Sequence, residues 1–207
     1  MFKIDLHIHS SLGGDSMIEP DELVPRAVEV GLDAVCATEH NSYALSQPFE
    51  EITKKTGFPI FRGMEYNANE GHLLIFGVKA GRGDLPPGLP MQHVLDWVSK
   101  STGIAIPAHP YQIDMLGRSL GKRLFELRDL VALETMNGSL PLKINKKASE
   151  AALRLGIHGI GGSDAHGLSV LGKVYTLFNT PIRTDKELVT ALKAGGYGPC
   201  RNGYYSI

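Results

Sequence analysis

Asp5-Leu6-His7-Ile8-His9-Ser10 closes a run of alternating β-type residues that begins at Phe2. In a strand, side chains two residues apart share a face. The run therefore predicts a first strand with Ile4, Leu6 and Ile8 on one face and Asp5, His7 and His9 on the other. Two imidazoles on one strand face can bind one metal ion together, and an acid just upstream can join them or orient one of them. Two surface histidines on an edge strand would leave the same short pattern. The reading therefore turns on what stands at the ends of the other strands.

Outward from this stretch, strands and helices alternate. A loop at 11–19 carries Asp15 beside Gly13-Gly14, where spacing alone points to a turn cap. Pro20-Asp21-Glu22 opens a helix that Gly31 ends. Residues 33–37 read as a strand buried on both faces, followed by Glu39-His40-Asn41. A second helix is predicted over 46–56, and a third strand over 59–65 ends at Glu65. The polar loop 67–71 is short, which predicts a hairpin rather than a helical crossover. That hairpin puts His72 at the same sheet end as Glu65.

Residues 79–90, rich in Gly and Pro, read as loop. A helix over 91–101 carries His93 on its surface, and a strand over 104–110 ends in His109. A strand over 130–134 ends at Glu134, and a helix over 142–155 is closed by Gly156. The next strand, 157–166, has His158 at its start and Asp164-Ala165-His166 at its end. A strand over 174–178 and a helix over 185–194 complete the pattern. Such alternation predicts an α/β fold with a mainly parallel sheet. Seven or eight strands in a chain of 207 residues suit a small distorted barrel, where chemistry collects at the C-terminal ends of the strands.

Composition narrows the function classes. Hydrophobic content of 43% and charged content of 21% describe an ordinary globular chain, read here as one domain over 1–207. A net charge of -1 argues against nucleic-acid or membrane binding through bulk electrostatics. Cys36 and Cys200 form no disulfide framework, and Cys36, in an apolar run, reads as a buried small hydrophobe. No basic-then-apolar leader opens the sequence, and no apolar run approaches the roughly 18 residues needed to cross a membrane. The cytoplasm is the expected compartment.

The predicted strand ends hold His7, His9, Asp15, His40, Glu65, His72, His109, Asp164 and His166, which include six of the chain's eight histidines. Nine such groups crowded together are costly unless cations neutralise the acids and accept the imidazole lone pairs. Nine ligands, one of them bridging, suit two or three ions. The lack of Cys among them favours a catalytic over a structural site.

The chain resembles the PHP family, the polymerase and histidinol phosphatase superfamily. The matching stretches are Asp5-Leu6-His7-Ile8-His9-Ser10, Thr38-Glu39-His40-Asn41, Gly63-Met64-Glu65, Gly71-His72, Ala108-His109-Pro110 and Gly162-Ser163-Asp164-Ala165-His166, in the family's order. The resemblance implies a distorted (β/α)7 barrel of the PHP type, with a short C-terminal extension within about 134–207. It implies a metal-dependent phosphoesterase with two to three divalent transition-metal ions (zinc, manganese or iron). On this resemblance His7, His9, Glu65 and Asp164 hold the first ion. Bridging Glu65 with His72 and His109 holds the second, and Asp15, His40 and His166 hold the third. Many relatives have His where Asp15 stands and Asp where Glu39 stands. Glu134 and Asn137 are expected to support ligands rather than to be ligands.

Phosphate-ester hydrolysis needs a nucleophile at neutral pH and neutralised phosphoryl oxygens, and clustered ions supply both. Glu65, Asp164 and His166 are expected to carry the catalytic step. Arg118, Lys122 and Arg123 follow His109 and are the candidates for holding substrate phosphate; Arg62 has the wrong strand parity and is expected to face away. A small phosphorylated substrate or a short oligonucleotide end is expected, with no stable nucleic-acid complex and no membrane partner. An amidohydrolase-type reading would want a Lys at a strand end, where Glu65 stands instead. A catalytically inactive, metal-stabilised module is disfavoured because every ligand position keeps a ligand.

Overall fold

Alternate apolar side chains of successive strands line the inside of a curled sheet. The computed structural model describes residues 1–113, 117 and 119–203. Its strands are β1 (Phe2–Ile8), β2 (Ala34–Ala37), β3 (Ile60–Asn67), β4 (His72–Phe76), β5 (Ile104–Ala108), β6 (Ala132–Asn137), β7 (His158–Gly162), β8 (Val174–Phe178) and β9 (Tyr197–Arg201). Its helices are α1 (Pro20–Glu29), α2 (Phe49–Thr56), α3 (Met91–Ser99), α4 (Leu142–Leu155) and α5 (Asp185–Ala194). Seven strands join in the order β5-β4-β3-β2-β1-β8-β9, and β6 pairs with β7. The β6–β7 pair lies between β5 on one side and β1, β8 and β9 on the other, which closes the distorted barrel expected from sequence.

The sheet is less parallel than predicted. β1–β2, β2–β3 and β6–β7 are parallel, but β3–β4, β4–β5, β1–β8 and β8–β9 are antiparallel. The cause is local. The short 68–71 connection forces a hairpin that reverses β4, so β5, running in the direction of β3, is antiparallel to β4. Asn67 faces His72 in that hairpin, as the loop length predicts. β9 lies beyond the elements expected from sequence; Gly198 and Pro199 weaken strand character, and an edge strand paired to β8 tolerates them. The helix expected over 46–56 is split into a 3-10 turn, Tyr43–Ser46, and α2, with Pro48 between them.

The barrel interior changes character along its axis. Near the strand starts it is apolar: Ile4, Leu6, Phe61, Leu74, Phe76, Ile106 and Ile160 pack with Leu188, Val189 and Leu192 of α5, which plugs that end. Burying each such side chain contributes roughly 1.5–3 kcal/mol. Outside the sheet, Leu23, Val24 and Ala27 of α1 pack on Val35 and Ala37. The strict alternation expected in β1 fails at its upper end. Pairing with β2 slips between Asp5 and Ile8, and Ile8 joins the outer cluster against α1 instead of the interior one holding Ile4 and Leu6. Such an irregularity re-aims side chains at a barrel rim.

Arg62 faces outward, as its parity requires. It donates from Nε to Ser46 Oγ at 3.0 Å and from Nη2 to Tyr43 O at 2.9 Å, and its guanidinium lies 4.1 Å from the centre of the Tyr43 ring. It thereby pins the segment after β2 to the barrel wall. Among the described residues no helix is long and apolar enough to cross a membrane.

Candidate metal centre

Six strands that run toward one end of the barrel, β1, β2, β3, β5, β6 and β7, each deliver an ionisable side chain there. His7 lies on β1, Glu65 on β3 and Glu134 on β6. His40 follows β2, His109 follows β5, and Asp164 and His166 follow β7. His72 opens the reversed strand β4. Backbone pairing beyond the strands holds the loops in place. His9 N donates to Ala165 O at 3.0 Å, Asp164 N to His7 O at 2.7 Å, and a parallel bridge sets His40 beside Glu65.

Glu65, 2% exposed, is the hub. Its Oε1 lies 2.7 Å from His72 Nδ1 and 2.8 Å from His109 Nε2. Its Oε2 lies 3.2 Å from His7 Nε2, 3.1 Å from His9 Nε2 and 3.5 Å from His40 Nδ1. One carboxylate thus meets five imidazoles. Asp164 Oδ1 stands 3.5 Å from His7 Nε2 and 3.6 Å from His9 Nε2. Asp15 Oδ2 stands 3.2 Å from His40 Nε2 and 3.5 Å from His166 Nε2.

Ligand-type atoms gather within 4.8 Å of one another in overlapping groups: His7, His9, Glu65 and Asp164; Glu65, His72 and His109; His9, Asp15, His40 and His166. All nine residues singled out from sequence lie in these groups. A fourth group joins His7, His109 and Glu134, but both Glu134 oxygens already accept hydrogen bonds. Access is graded. The His7 and His9 side chains are 0% exposed, whereas those of His40, Asp15 and His166 are 27%, 36% and 41% exposed.

Electrostatics show what the cluster lacks. Burial disfavours charge on His7, yet the carboxylates of Asp164, Glu65 and Glu134 hold its imidazole well above the usual histidine range. Burial also pushes Glu65 up, but the imidazoles of His7 and His72 keep it well below the usual carboxylate range. His9 moves the other way, because burial outweighs its contact with Glu65. Among the described residues, the positive charge in contact with Glu65 and Asp164 is then that of protons on imidazoles. His7 Nε2 faces His9 Nε2 at 3.2 Å, a contact between two lone-pair-bearing atoms unless one is protonated. The buried Nδ1 of His9 has no hydrogen-bond partner. Converging lone pairs, central acids and demand for positive charge fit divalent cations.

Supporting groups surround the cluster. His7 Nδ1 donates to Glu134 Oε1 at 2.9 Å, which leaves His7 Nε2 facing the cluster. Glu134 Oε2 accepts from His109 N at 2.8 Å and from Asn137 Nδ2 at 3.2 Å, and Asn137 Nδ2 also reaches Asp164 Oδ2 at 3.1 Å. Asp5 accepts from Ser163 N at 2.8 Å and Gly172 N at 3.0 Å, so it anchors the strand that carries Asp164 and does not enter the cluster. Glu39 accepts from Ser10 N and Oγ through Oε1; burial pushes its carboxyl up to about 7. Three of the four described non-glycine residues with positive φ stand here, Asn41 (57°), His109 (26°) and Asp164 (53°). Backbone strain of this kind gathers where the surroundings over-determine a site.

Of the remaining sequence candidates, none that the structure describes belongs to these groups. His93 is exposed on α3, and His158 is exposed at the start of β7, away from the cluster. Lys122 is exposed on a 3-10 turn, Gly121–Glu126. Arg123 donates to Ser119 O at 3.1 Å. Arg118 lies outside the described residues. The supporting role expected for Glu134 takes a specific form, one carboxylate that holds both the His7 ring and the His109 backbone; neither partner was legible from its position near a strand end.

The PHP domain family model matches residues 5–127, and a second model, PHP-associated, matches residues 144–197. An uncharacterized protein of Methanocaldococcus jannaschii, MJ1587, is 29% identical over 145 residues, which covers 65% of this chain and 81% of that protein. A two-domain protein from Bacteroides vulgatus containing a predicted PHP-like metal-dependent phosphoesterase superposes with a TM-score of 0.72 at 20% identity, over 97% of this chain and 65% of that one. An amidohydrolase from Chromobacterium violaceum superposes with a TM-score of 0.62 at 19% identity, over 97% and 98%.

Proposed function

This chain belongs to the PHP domain family, and on that premise we propose that it is a metal-dependent hydrolase of phosphate esters. The observation that carries the reading is Glu65, one buried carboxylate in contact with five imidazoles. His7, His9, Glu65 and Asp164 would hold one ion, Glu65, His72 and His109 a second, and Asp15, His40 and His166 a third. Zinc, manganese or iron suits this nitrogen-rich, oxygen-bridged set. Bound ions would activate water and neutralise phosphoryl oxygens.

The chain's own residues do the rest. Glu134 fixes the tautomer of His7 and the backbone at His109, so both rings keep one aim. Asn137 steadies Asp164 from the side. His40, His72, Asp15 and His166, the more exposed members, face the approach of substrate. The substrate class we infer is a small phosphate monoester or a short oligonucleotide end. The net charge of -1 supports this, because long polyanions are bound by neutralising many phosphates.

The amidohydrolase reading draws support from the Chromobacterium protein's name. It finds no lysine among the buried polar residues described, and the phosphoester reading is favoured. The test is a screen of phosphomonoesters, short oligonucleotides and amides with Mn²⁺, Zn²⁺ or Fe²⁺ added. Hydrolysis of phosphomonoesters is expected; turnover of amides alone would overturn the reading.

A further inference from the structure

We propose that Asn145, on α4, is a positioning residue for the metal centre, and that it acts through Asn137 on Asp164. The proposal rests on the metal-dependent reading above and adds to it a residue from outside the cluster. Asn145 is the fourth residue of a helix of 14 and is only 7% exposed. Asparagine is a weak helix former. Ala148 and Ala152, three and seven residues on, are buried on the same face, so packing alone would place a small apolar residue at 145. A buried amide there calls for a polar partner.

That partner is the main chain of Asn137, the last residue of β6. Asn137 N donates to Asn145 Oδ1 at 3.0 Å, and Asn145 Nδ2 donates to Asn137 O at 2.9 Å. One side-chain amide thus pairs both main-chain polar groups of Asn137, as a neighbouring strand would.

With its main chain fixed, the Asn137 side chain has one aim. Its Oδ1 accepts from Ser139 N at 2.9 Å. Its Nδ2 is left to face two carboxylates, Glu134 Oε2 at 3.2 Å and Asp164 Oδ2 at 3.1 Å. The bond to Oδ2 leaves Asp164 Oδ1 as the oxygen that meets His7 and His9. The next two residues hold the main chain that carries Asp164. Gly138 N donates to Gly162 O at 2.9 Å, and Ser139 Oγ donates to Asp164 O at 2.9 Å. Asn145 ties this turn to α4. Outer partners of this kind orient metal ligands, and their loss typically costs about ten- to a hundredfold in metal affinity or activity.

The test reads metal binding in the absence of substrate. Chelator-treated wild type, Asn145→Ala, Asn137→Ala and the double variant are titrated with Mn²⁺ in a calorimeter. Asn145→Ala is expected to weaken binding of the tightest ion by about tenfold or more. The double variant is expected to match Asn137→Ala, because the two residues act in series. Ala148→Gly, which removes one methyl group from the same helix, is expected to lower Tm and leave the Mn²⁺ Kd unchanged. Wild-type affinity in Asn145→Ala, losses that add in the double variant, or an equal loss in Ala148→Gly would overturn the proposal. Should Asn145→Ala not fold, Asn145→Asp, which keeps the shape and the acceptor but not the donor, is titrated in its place. A severalfold loss is then expected, and wild-type affinity would overturn the proposal equally. The side-chain amide signals of Asn137 are also followed by NMR in chelator-treated protein. Their hydrogens are expected to exchange slowly in the wild type and fast in the Asn145 variant. If that difference appears but the wild type binds no Mn²⁺, Zn²⁺ or Fe²⁺, the metal reading fails while the hold on Asp164 stands. If exchange is the same in both, the assignment of Asn145 fails whatever the protein binds.

Discussion

Glu65 and Glu39 are both buried acids beside the cluster, and their surroundings assign them opposite roles. Glu65 is ringed by imidazoles and held below the usual carboxylate range, so it is charged at neutral pH. Glu65→Gln keeps the shape but removes the charge shared by neighbouring ions. Activity is expected to fall by orders of magnitude, with the bound metal content reduced and the circular dichroism unchanged; near-normal turnover would deny Glu65 the bridging role. Glu39 is pushed up to about 7, chiefly by burial. The folded state therefore binds its proton more tightly than the unfolded chain between an ordinary value of 4.5 and about 7. Across that window the contribution of Glu39 to stability falls as pH rises. Gln keeps the Oε1 acceptor for Ser10 and removes the titration. In chelator-treated protein, Glu39→Gln is expected to gain Tm on the wild type, by roughly several degrees, from pH 5 to pH 7.5. A difference that stays constant with pH would mean that Glu39 is ionised throughout.

Strands carry the site only if they approach closely enough to bring His7 and Asp164 together. Gly162, the last residue of β7, makes that approach possible. A Cβ there would lie 2.4 Å from His7 Cβ and 2.8 Å from His7 N. Those atoms belong to a strand buried on both sides, so β7 would have to withdraw from β1. Gly162→Ala is expected to cost about 1–3 kcal/mol in urea unfolding, as overpacking does. Activity is expected to fall further than stability does, because Asp164 follows two residues later. A variant as stable and active as the wild type would mean that β1 and β7 separate freely.

Across the whole molecule, an apolar plug at one end of the barrel supports a charged cluster at the other. The plug is apolar and calls for no counter-charge: Ile4, Leu74, Ile106 and Leu188 are buried to within 1% of fully. The cluster requires positive charge, whether from protons or from metal. Stability is therefore expected to depend on metal by simple linkage, gaining about 2.7 kcal/mol when an ion is present at 100 times its Kd. A melting series with Mn²⁺, Zn²⁺ and chelator would read this as a rise in Tm. The rise is expected to shrink in Glu65→Gln, and an unchanged Tm throughout would contradict a buried metal centre.

How much of this was legible in the sequence depended on distance along the chain. Strand parity, the short 67–71 loop and the polar residue closing each apolar run are local features. They placed His7, His9, His40, Glu65, His72, His109, Asp164 and His166 at one sheet end and turned Arg62 away from it. Local patterns also marked α4 and α5 with the bounds they have in the structure. Relations between distant segments were not legible. Pairing with β2 breaks the alternation of β1 and sends Ile8 outward. Pairing with β8 makes a strand of a Gly-Pro stretch. Asp5, on the same predicted face as His7, is drawn off by amides more than 150 residues away. Glu134 becomes the support of His7 across 127 residues. The sequence by itself determined which ionisable groups stand at the barrel's mouth, because each stands at the end of an apolar run that is read from its nearest neighbours. Only the tertiary structure decided which of them meet at Glu65, because that depends on how strands far apart in the chain register against one another.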